Sequence, residues 1–291
     1  MLNDSNLKKI IKNALKEDIG KKDITTELII PKDKIIKAVL LAKQDLVVCG
    51  LKVAGLTFKI LDRNIKFKPL VSDGNWIKKG KVLAKIKGKA VSILTAERTA
   101  LNFLTHLSGI ATLTRRFVEA ARPYKVKIMD TRKTLPGLRA LEKYAVRIGG
   151  GFNHRFSLDQ MILIKDNHLA SLDKYPSLQK IQDALKLARA RKPKKIKLEI
   201  EVKNLRQFNL ALKEKPDIIM LDNIGIKKIK QAVAIRNRIQ RCLYSLKPKL
   251  EASGKINLKN IKKIASTGVD MISIGALTHS APSVDISLEV L

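Results

Sequence analysis

Cationic residues are concentrated beside a run of glycines in two stretches of the chain. The stretch "DTRKT" contains Arg132 and Lys133, and "GGGFNHR", which begins at Gly149, contains His154 and Arg155. Glycine is costly in regular elements, and cationic side chains normally spread over a surface. Their concentration predicts a pocket for a heavily anionic ligand.

Polar groups also follow short apolar runs from residue 125 onward. The runs are "VKIMD", "MILIKD", "IKLEIEV", "DIIMLDN", "KLEASG" and "VDMISIG", with helix-like stretches between them. Alternating strands and helices predict a parallel sheet. The groups at or just past the strand ends are Arg132, Lys133, Lys165, Glu201, Asp222, Ser253, Gly254 and Gly275. A (β/α) barrel builds its active site at that edge, so we expect these groups to converge.

Several cations facing two carboxylates predict a substrate with several carboxylates or phosphates. Glu201 and Asp222 would serve a metal ion or a positive charge that develops during the reaction. Opposite charges 4 Å apart attract by about 4 kcal/mol at an effective dielectric near 20, so a cluster can hold a polyanion. The alternative is a structural ion-pair network, in which these acids pair with Lys165 and Lys133.

Two small-residue loops follow the last two predicted strands. "SGK" begins at Ser253, and "SIGA" ends at Ala276. Such loops expose backbone N–H groups near a helix start, where barrels commonly bind phosphate. We therefore expect a phosphate site there.

The fold class is α/β, with two domains. Residues 1–111 begin with a helix over about 3–18 and continue with strand-like segments that predict a small antiparallel sheet, joined by the C-terminal tail 278–291. A long helix over about 95–121 connects to residues 112–277. A doubly wound sheet is disfavoured because the G-x-G-x-x-G signature is missing. Since 112–277 is shorter than the roughly 250 residues of a complete barrel, we expect an incomplete barrel of six or seven strands.

Composition limits the remaining classes. No run of eighteen apolar residues is present, and the N-terminus lacks a signal-like apolar segment, so we expect a soluble cytoplasmic protein. The 59 Lys and Arg against 26 Asp and Glu give a net charge of +33, which favours polyanion binding. However, the lysines are dispersed and no nucleic-acid-binding signature interleaves with them, so solvated lysine faces are the favoured interpretation.

Long motifs in the right order identify a family. They are "EDIGKKDITT", "AERTALNFLTHLSGIAT", "DTRKTLPGLRALEKYAV", "GGGFNHRFSLDQMILIKDNH", "EIEV", "IMLDN", "EASGKI" and "ISIGALTHS". Over nearly the whole chain they resemble quinolinate phosphoribosyltransferase, also called nicotinate-nucleotide pyrophosphorylase (carboxylating), a type II phosphoribosyltransferase family.

The resemblance implies an N-terminal α/β sandwich-like domain and an incomplete α/β barrel. It implies condensation of quinolinate with 5-phosphoribosyl 1-pyrophosphate, giving nicotinate mononucleotide, pyrophosphate and carbon dioxide for NAD biosynthesis. It implies Mg²⁺ as cofactor and a homodimer with shared active sites. Assembly of such dimers into hexamers stays open. No specific nucleic-acid partner and no membrane partner are expected.

The resemblance also implies roles for single residues. Arg132, His154 and Arg155, with Arg98 from the partner subunit, resemble the dicarboxylate-binding group. Lys133 and Lys165 resemble the lysines that hold phosphates and pyrophosphate, and Glu201 and Asp222 resemble the acids near the ribose and Mg²⁺. The other matching substrate-binding positions are Thr131, Ser253, Gly254, Lys255, Gly275 and Ala276.

Lys255 departs from the family pattern, because glycine is common at its position. It either adds a phosphate contact or points to solvent, and the role of His279 is also left open. Two other functions compete with this interpretation. One is a homologous enzyme that acts on a different aromatic acid, and the other is a nucleic-acid-binding protein that uses the net charge.

Overall fold

The structure is a computed structural model that describes residues 4–172, 179–242 and 248–291, without the side chains of 239–242. The chain forms two compact units. Unit 1 combines the chain up to Arg115 with Lys133–Gly150 and Ala276–Leu291, and unit 2 comprises Arg116–Arg132 and Gly151–Gly275. The expected domains, 1–111 with 278–291 and 112–277, stay a prediction. The two units are compact groups of residues and do not by themselves define domain boundaries.

Unit 1 contains the antiparallel strands of the protein. Its elements are α1 (Asp4–Ile19), α2 (Ile24–Ile29), β1 (Ile35–Ala42), β2 (Leu46–Val47), α3 (Leu51–Leu61), β3 (Lys66–Pro69), β4 (Trp76–Ile77), β5 (Val82–Lys89), α4 (Ala90–Ala121, up to Arg115), α5 (Arg139–Ile148), α11 (Ala276–His279) and β12 (Ile286–Val290). The larger sheet has the strand order β12-β1-β5-β3, and β2 pairs with β4. The predicted antiparallel sheet is confirmed, and the C-terminal strand β12 pairs with β1.

One face of this sheet is apolar and packs on helices. Alternate residues such as Leu40 and Ile86 point into a cluster with Phe58 of α3 and Ile93 of α4. The other face carries exposed lysines, so the alternation of apolar and charged residues specifies which side is buried.

Helix α4 begins five residues earlier than the sequence pattern predicts. The helical pattern starts at about residue 95, and the β-branched Val91 and Ile93 before it favour a strand. Instead Ala90, Ile93 and Ala96 are buried at helical spacing and join the same face as Ala100. Tertiary packing here overrides the weak local preference.

Unit 2 is built on one parallel sheet. Its elements are the end of α4, β6 (Lys127–Met129), β7 (Met161–Ile164), α6 (Asp166–Ala170), α7 (Gln179–Arg191), β8 (Lys197–Val202), α8 (Leu205–Lys213), β9 (Ile218–Asp222), α9 (Ile226–Cys242), β10 (Lys249–Ser253), α10 (Ile261–Ala265) and β11 (Met271–Ser273). All six predicted strands are confirmed, and the helices predicted between β7 and β10 correspond to α7, α8 and α9.

The strand order shows an incomplete barrel. The six strands follow the order β6-β11-β10-β9-β8-β7, so the last strand in the chain, β11, returns to pair with β6. The free edge of β6 accepts a single parallel bridge, between Met129 and Phe152. The barrel therefore has six strands, within the expected six or seven. Its edge strands, β6 and β7, do not pair with each other, so the barrel is open between them.

The two faces of this sheet have different chemistry. One face, with Ile200, Leu221 and Ala252, is apolar and packs on the helices. The opposite face carries a cluster of Met129, Met161, Ile218 and Met271, and the strand register places the acids of β8, β9 and β10 on this same face. Each helix that the structure describes is too short or too polar to cross a lipid bilayer.

Candidate active site

The glycine run beside the cationic residues has an architectural reason. A Cβ on Gly149 would lie 2.5 Å from the carbonyl oxygen of Ala111 in α4, and Gly150 has φ +95°. Both positions therefore exclude larger residues for packing and backbone reasons. The glycines of this stretch thus have a structural role, and His154 and Arg155, which follow Gly151, are its candidates for ligand binding.

Unit 2 contains most of the predicted site residues, at the C-terminal ends of its strands. Thr131 and Arg132 follow β6, His154 and Arg155 follow the Phe152 bridge, Lys165 follows β7, Glu201 is in β8, Asp222 ends β9, Ser253 ends β10 before Gly254 and Lys255, and Gly275 follows β11. Parallel strands bring these ends to one edge of the sheet, as the sequence analysis expects. Their roles stay predictions.

Glu201 lies within electrostatic reach of two other predicted members of unit 2, Asp222 and Lys165. Glu201 is opposite Met220, so Asp222 is the next residue on the same face of β9. Burial, and then the charge of Asp222, raise the pKa of the half-buried Glu201, and the charge of Lys165 opposes this rise. Among the described residues, none of the three forms an ion pair within 4.0 Å. Within the described residues, Lys165 therefore forms neither of the structural ion pairs that the alternative interpretation requires.

Arg132 and Arg155 form a cationic pair in unit 2. Burial, and then the charge of Arg132, lower the pKa of Arg155. Arg155 also donates from Nη1 to the carbonyl oxygen of Met161 at 2.7 Å. In the part of the chain that the structure describes, the buried Nε of Arg132 has no hydrogen-bond partner. Two adjacent guanidinium groups with an unused donor are suited to a carboxylate ligand.

His154 leads into an acidic cluster that the sequence analysis missed. Its Nε2 lies 3.1 Å from Oε2 of Glu199 in β8 and 3.6 Å from Oε2 of Glu251 in β10. Both glutamates are fully buried, and the His154 side chain is 7% exposed. Its Nδ1 accepts the backbone N–H of Arg155 at 2.9 Å, and its own backbone N–H donates to Asp130 at 2.8 Å. We call His154, Glu199 and Glu251 the buried cluster.

The buried cluster retains a proton. Burial alone would lower the pKa of His154, but the nearby carboxylates of Glu199 and Glu251 raise it to about 10. Burial and the charge of Glu251 raise the pKa of Glu199 to about 7. Because Nδ1 accepts the Arg155 N–H, the ring proton lies on Nε2, which faces the two carboxylates.

The expected phosphate loop has an unusual backbone. Ser253 is directly opposite Asp222 and Ser273 in the sheet. Gly254 has φ +94°, and a Cβ there would lie 2.3 Å from Oδ1 of Asn223. Lys255 also has positive φ, at 50°. Two successive left-handed residues explain why glycine would suit position 255.

The remaining predicted residues belong to unit 1. Arg98 is an exposed residue of α4, Lys133 directly follows Arg132 in sequence, and Ala276 begins α11. The carbonyl oxygen of Lys133 accepts the hydroxyl of Thr278 at 2.6 Å, which ties this residue to α11.

Glu199 was missed because a charge in mid-strand is normally a solvent-facing residue. The signal was its spacing from Glu201, since residues i and i+2 of a strand share a face. Glu251 had the same signal relative to Ser253.

Two family profiles match this chain. The profile "Quinolinate phosphoribosyl transferase, N-terminal domain" matches residues 23–108, and "Quinolinate phosphoribosyl transferase, C-terminal domain" matches residues 110–289. Together they cover most of the sequence.

Similar proteins come from distant organisms. A "Probable nicotinate-nucleotide pyrophosphorylase [carboxylating]" of Methanocaldococcus jannaschii is 44% identical over 293 residues, covering 100% of this chain and 99% of that protein. The "Nicotinate-nucleotide pyrophosphorylase [carboxylating]" of Mycobacterium leprae is 41% identical, covering 96% of this chain and 95% of that protein. A solved nicotinate-nucleotide pyrophosphorylase from Francisella tularensis superposes with a TM-score of 0.88 at 39% identity, covering 100% of this chain and 98% of that one. The chain therefore belongs to the quinolinate phosphoribosyltransferase family.

Proposed function

We propose that this protein transfers a phosphoribosyl group from 5-phosphoribosyl 1-pyrophosphate to quinolinate and decarboxylates the product, giving nicotinate mononucleotide, pyrophosphate and carbon dioxide in de novo NAD biosynthesis. The enzyme is a nicotinate-nucleotide diphosphorylase (carboxylating), and the full-length relatives named nicotinate-nucleotide pyrophosphorylase [carboxylating] support this assignment. The observation that carries this function is that Arg132, Arg155, Glu201 and Asp222 lie at or after the C-terminal ends of strands in one parallel sheet, the bridge at Phe152 included.

Quinolinate is held by guanidinium groups. Arg132 and Arg155 each bind a carboxylate through two parallel hydrogen bonds, which planar guanidinium groups make better than ammonium groups do. The unused Nε donor of Arg132 and the mutual repulsion of the two arginines support this role. Thr131 lies beside Arg132 in sequence and contributes to the same site.

Transfer of the phosphoribosyl group separates charge. The bond from the anomeric carbon to pyrophosphate breaks with its electron pair on the leaving group, while the ring nitrogen of quinolinate forms the new bond. Glu201 and Asp222 stabilise the positive charge that develops on the ribose. Lys133 and Lys165 bind the departing pyrophosphate. The positive ribose of the transition state therefore faces carboxylates, and the negative pyrophosphate faces ammonium groups.

Decarboxylation follows from the product of that transfer. The ribosylated ring nitrogen is cationic, so it accepts charge from the adjacent carbon when the C–C bond to carbon dioxide breaks. The carbon that retains the electron pair then takes up a proton. The arginine-lined pocket assists this step by holding the departing carboxylate away from water.

The 5-phosphate of the ribose is bound by the loops after β10 and β11. Ser253, Gly254 and Lys255 supply one loop, and Gly275 and Ala276 supply the other. Support comes from the left-handed backbone of Gly254 and Lys255, since turns of this kind turn backbone N–H groups toward an anion.

Mg²⁺ fits the acids of this site. Glu201 and Asp222 offer carboxylate oxygens on one sheet face, and their proximity raises the pKa of Glu201, which a divalent cation would reverse. Mg²⁺ is commonly bound by one or two carboxylates together with substrate phosphates. When bound, it would neutralise charge on pyrophosphate.

The active enzyme is a cytoplasmic homodimer with shared active sites. Arg98 is exposed on α4 of unit 1, where it is available to a second subunit. We assign Arg98 to the dicarboxylate site of the partner subunit, so an isolated subunit would lack one guanidinium group.

A mixed assay tests the function. Purified protein is incubated with quinolinate, 5-phosphoribosyl 1-pyrophosphate and Mg²⁺, and mass spectrometry follows nicotinate mononucleotide. We expect product, pyrophosphate and carbon dioxide in equal amounts. A parallel reaction with nicotinate, which has one carboxylate, should give no product. Turnover of nicotinate alone would instead assign the chain to a homologous enzyme for a different aromatic acid.

A further inference from the structure

The buried cluster places two acids where charge is least favourable. Glu199 and Glu251 lie on the strands that flank β9, and both are fully buried on the face that also carries the methionine cluster. Their four carboxylate oxygens have no protein hydrogen bond of good geometry among the described residues. Nε2 of His154 lies within ion-pair distance of both.

Fold stability gives a poor reason for such a cluster. Removing two carboxylates from water costs several kcal/mol per ion, and apolar replacements of buried ion pairs are often neutral or stabilising. A buried ionic group that touches a predicted binding segment is therefore a candidate for function.

The contacts of His154 show what the acids hold. Nδ1 accepts the Arg155 N–H, and Nε2 lies within ion-pair distance of both glutamates, at 3.1 and 3.6 Å. The backbone of His154 is anchored to Asp130, directly before Thr131 and Arg132. A ring held by a hydrogen bond at Nδ1 and by two carboxylates near Nε2 constrains the backbone from which the Arg155 side chain extends.

We infer that Glu199 and Glu251 are positioning residues for quinolinate binding, which through the His154 ring hold Arg155 in the orientation that grips a carboxylate. The inference rests on the proposed function. It gives His154 an indirect role, because Nδ1 accepts a backbone N–H and Nε2 faces the buried carboxylates. Quinolinate is then contacted by Arg155, and the buried cluster acts from behind it.

Kinetics of isosteric variants test this inference. Glu199→Gln and Glu251→Gln remove charge and keep shape. We expect each to raise the KM for quinolinate at least about tenfold, with the KM for 5-phosphoribosyl 1-pyrophosphate within about twofold of wild type. A purely structural loss would reduce the active fraction, and so kcat, without moving one KM selectively. Glu214→Gln, in the same unit and away from the strand ends, is the matched control. Unchanged KM values in both variants would overturn the inference.

A second readout needs no turnover. With only four histidines in the chain, ¹⁵N NMR of histidine-labelled protein can be assigned with His154→Gln. We expect a protonated Nε2 on His154 in wild type and loss of its protected N–H signal in Glu199→Gln/Glu251→Gln. An unprotonated Nε2 in wild type contradicts the inference, whether or not the enzyme turns over. Absence of turnover with quinolinate instead overturns the proposed function, and the NMR result still decides on the cluster.

The same three ligand atoms lie within 4.8 Å of one another, so a divalent cation is the competing occupant. Elemental analysis of the purified protein, with and without added Zn²⁺, separates the two. We expect the buried cluster to hold no cation, so Glu199→Gln should leave the metal content of the protein unchanged. A stoichiometric cation that depends on Glu199, Glu251 and His154 would overturn the positioning role.

Discussion

At the scale of single residues, the site is defined by like charges that the protein places close together. Arg132 and Arg155 repel each other, and Glu201 and Asp222 do the same. Neither arrangement stabilises the fold, since like charges at close range are unfavourable. Both become favourable when a dicarboxylate meets the arginines and a cation or cationic transition state meets the acids.

The arginine pair gives the first prediction. Arg132→Ala should raise the KM for quinolinate by about tenfold or more, because a charge-assisted hydrogen bond contributes about 1.5–3 kcal/mol. The KM for 5-phosphoribosyl 1-pyrophosphate should change little. Steady-state kinetics with each substrate varied in turn measure both constants, with Arg189→Ala on the exposed side of α7 as control. An unaltered quinolinate KM would remove Arg132 from the site.

Lys165 gives the second prediction. Lys165→Ala should lower kcat on the order of a hundredfold, because the leaving pyrophosphate loses a preorganised cation. Lys197→Ala is the control, since Lys197 is an exposed lysine at the opposite end of β8. Single-turnover measurements separate the chemical step from product release. A rate near that of wild type would return Lys165 to the ordinary surface lysines.

At the scale of elements, the loop after β10 combines two left-handed residues in succession. Gly254 is required there by its φ of +94° and by the proximity of Asn223. Lys255 occupies the next left-handed position with a side chain that disfavours it, at φ 50°. The backbone of this loop is therefore strained at Lys255, whereas Gly254 adopts its left-handed conformation without strain.

This contrast gives the third prediction. Lys255→Gly should raise the free energy of unfolding by about 1 kcal/mol, since the left-handed conformation then costs less. Gly254→Ala should lower it by more than that, because a Cβ would collide with Asn223. Denaturant unfolding of both variants measures the two effects. Destabilisation by Lys255→Gly would show that the lysine side chain has stabilising contacts of its own.

Elements with a strong sequence period were predictable, and residues placed by tertiary contact were not. The six strands of unit 2 and the residues at their ends follow from apolar runs such as "DIIMLDN". The start of α4 was wrong because packing of Ala90 and Ile93 outweighs local preference. Glu199 and Glu251 escaped notice because their burial depends on which strands become neighbours. The sequence shows the glycine run, but the close packing of Gly149 against α4 depends on the tertiary structure.

At the scale of the whole molecule, the net charge of +33 is an electrostatic background. Lysines even face each other in register across the sheet of unit 1, where Lys87 is opposite both Lys37 and Lys66. Such pairs are unfavourable in a sheet, and they show how widely lysine is distributed. A positive field of this kind increases the local concentration of small anionic substrates.

The competing nucleic-acid function gives the fourth prediction. Binding to duplex DNA should be weak, and it should fall steeply as salt rises toward physiological concentration, because only dispersed lysines contribute. Fluorescence anisotropy with labelled duplex at increasing salt measures this. Tight binding that persists at physiological salt would favour a nucleic-acid-binding protein.

The central claim is that the strand ends of unit 2 hold a doubly carboxylated ring between arginines and acids. A crystal structure of the protein with quinolinate bound tests it most directly. We predict that the two carboxylates lie within hydrogen-bonding distance of the guanidinium groups of Arg132 and Arg155, with the ring nitrogen directed toward Glu201 and Asp222. Quinolinate bound elsewhere, with both arginines free of it, would contradict the claim.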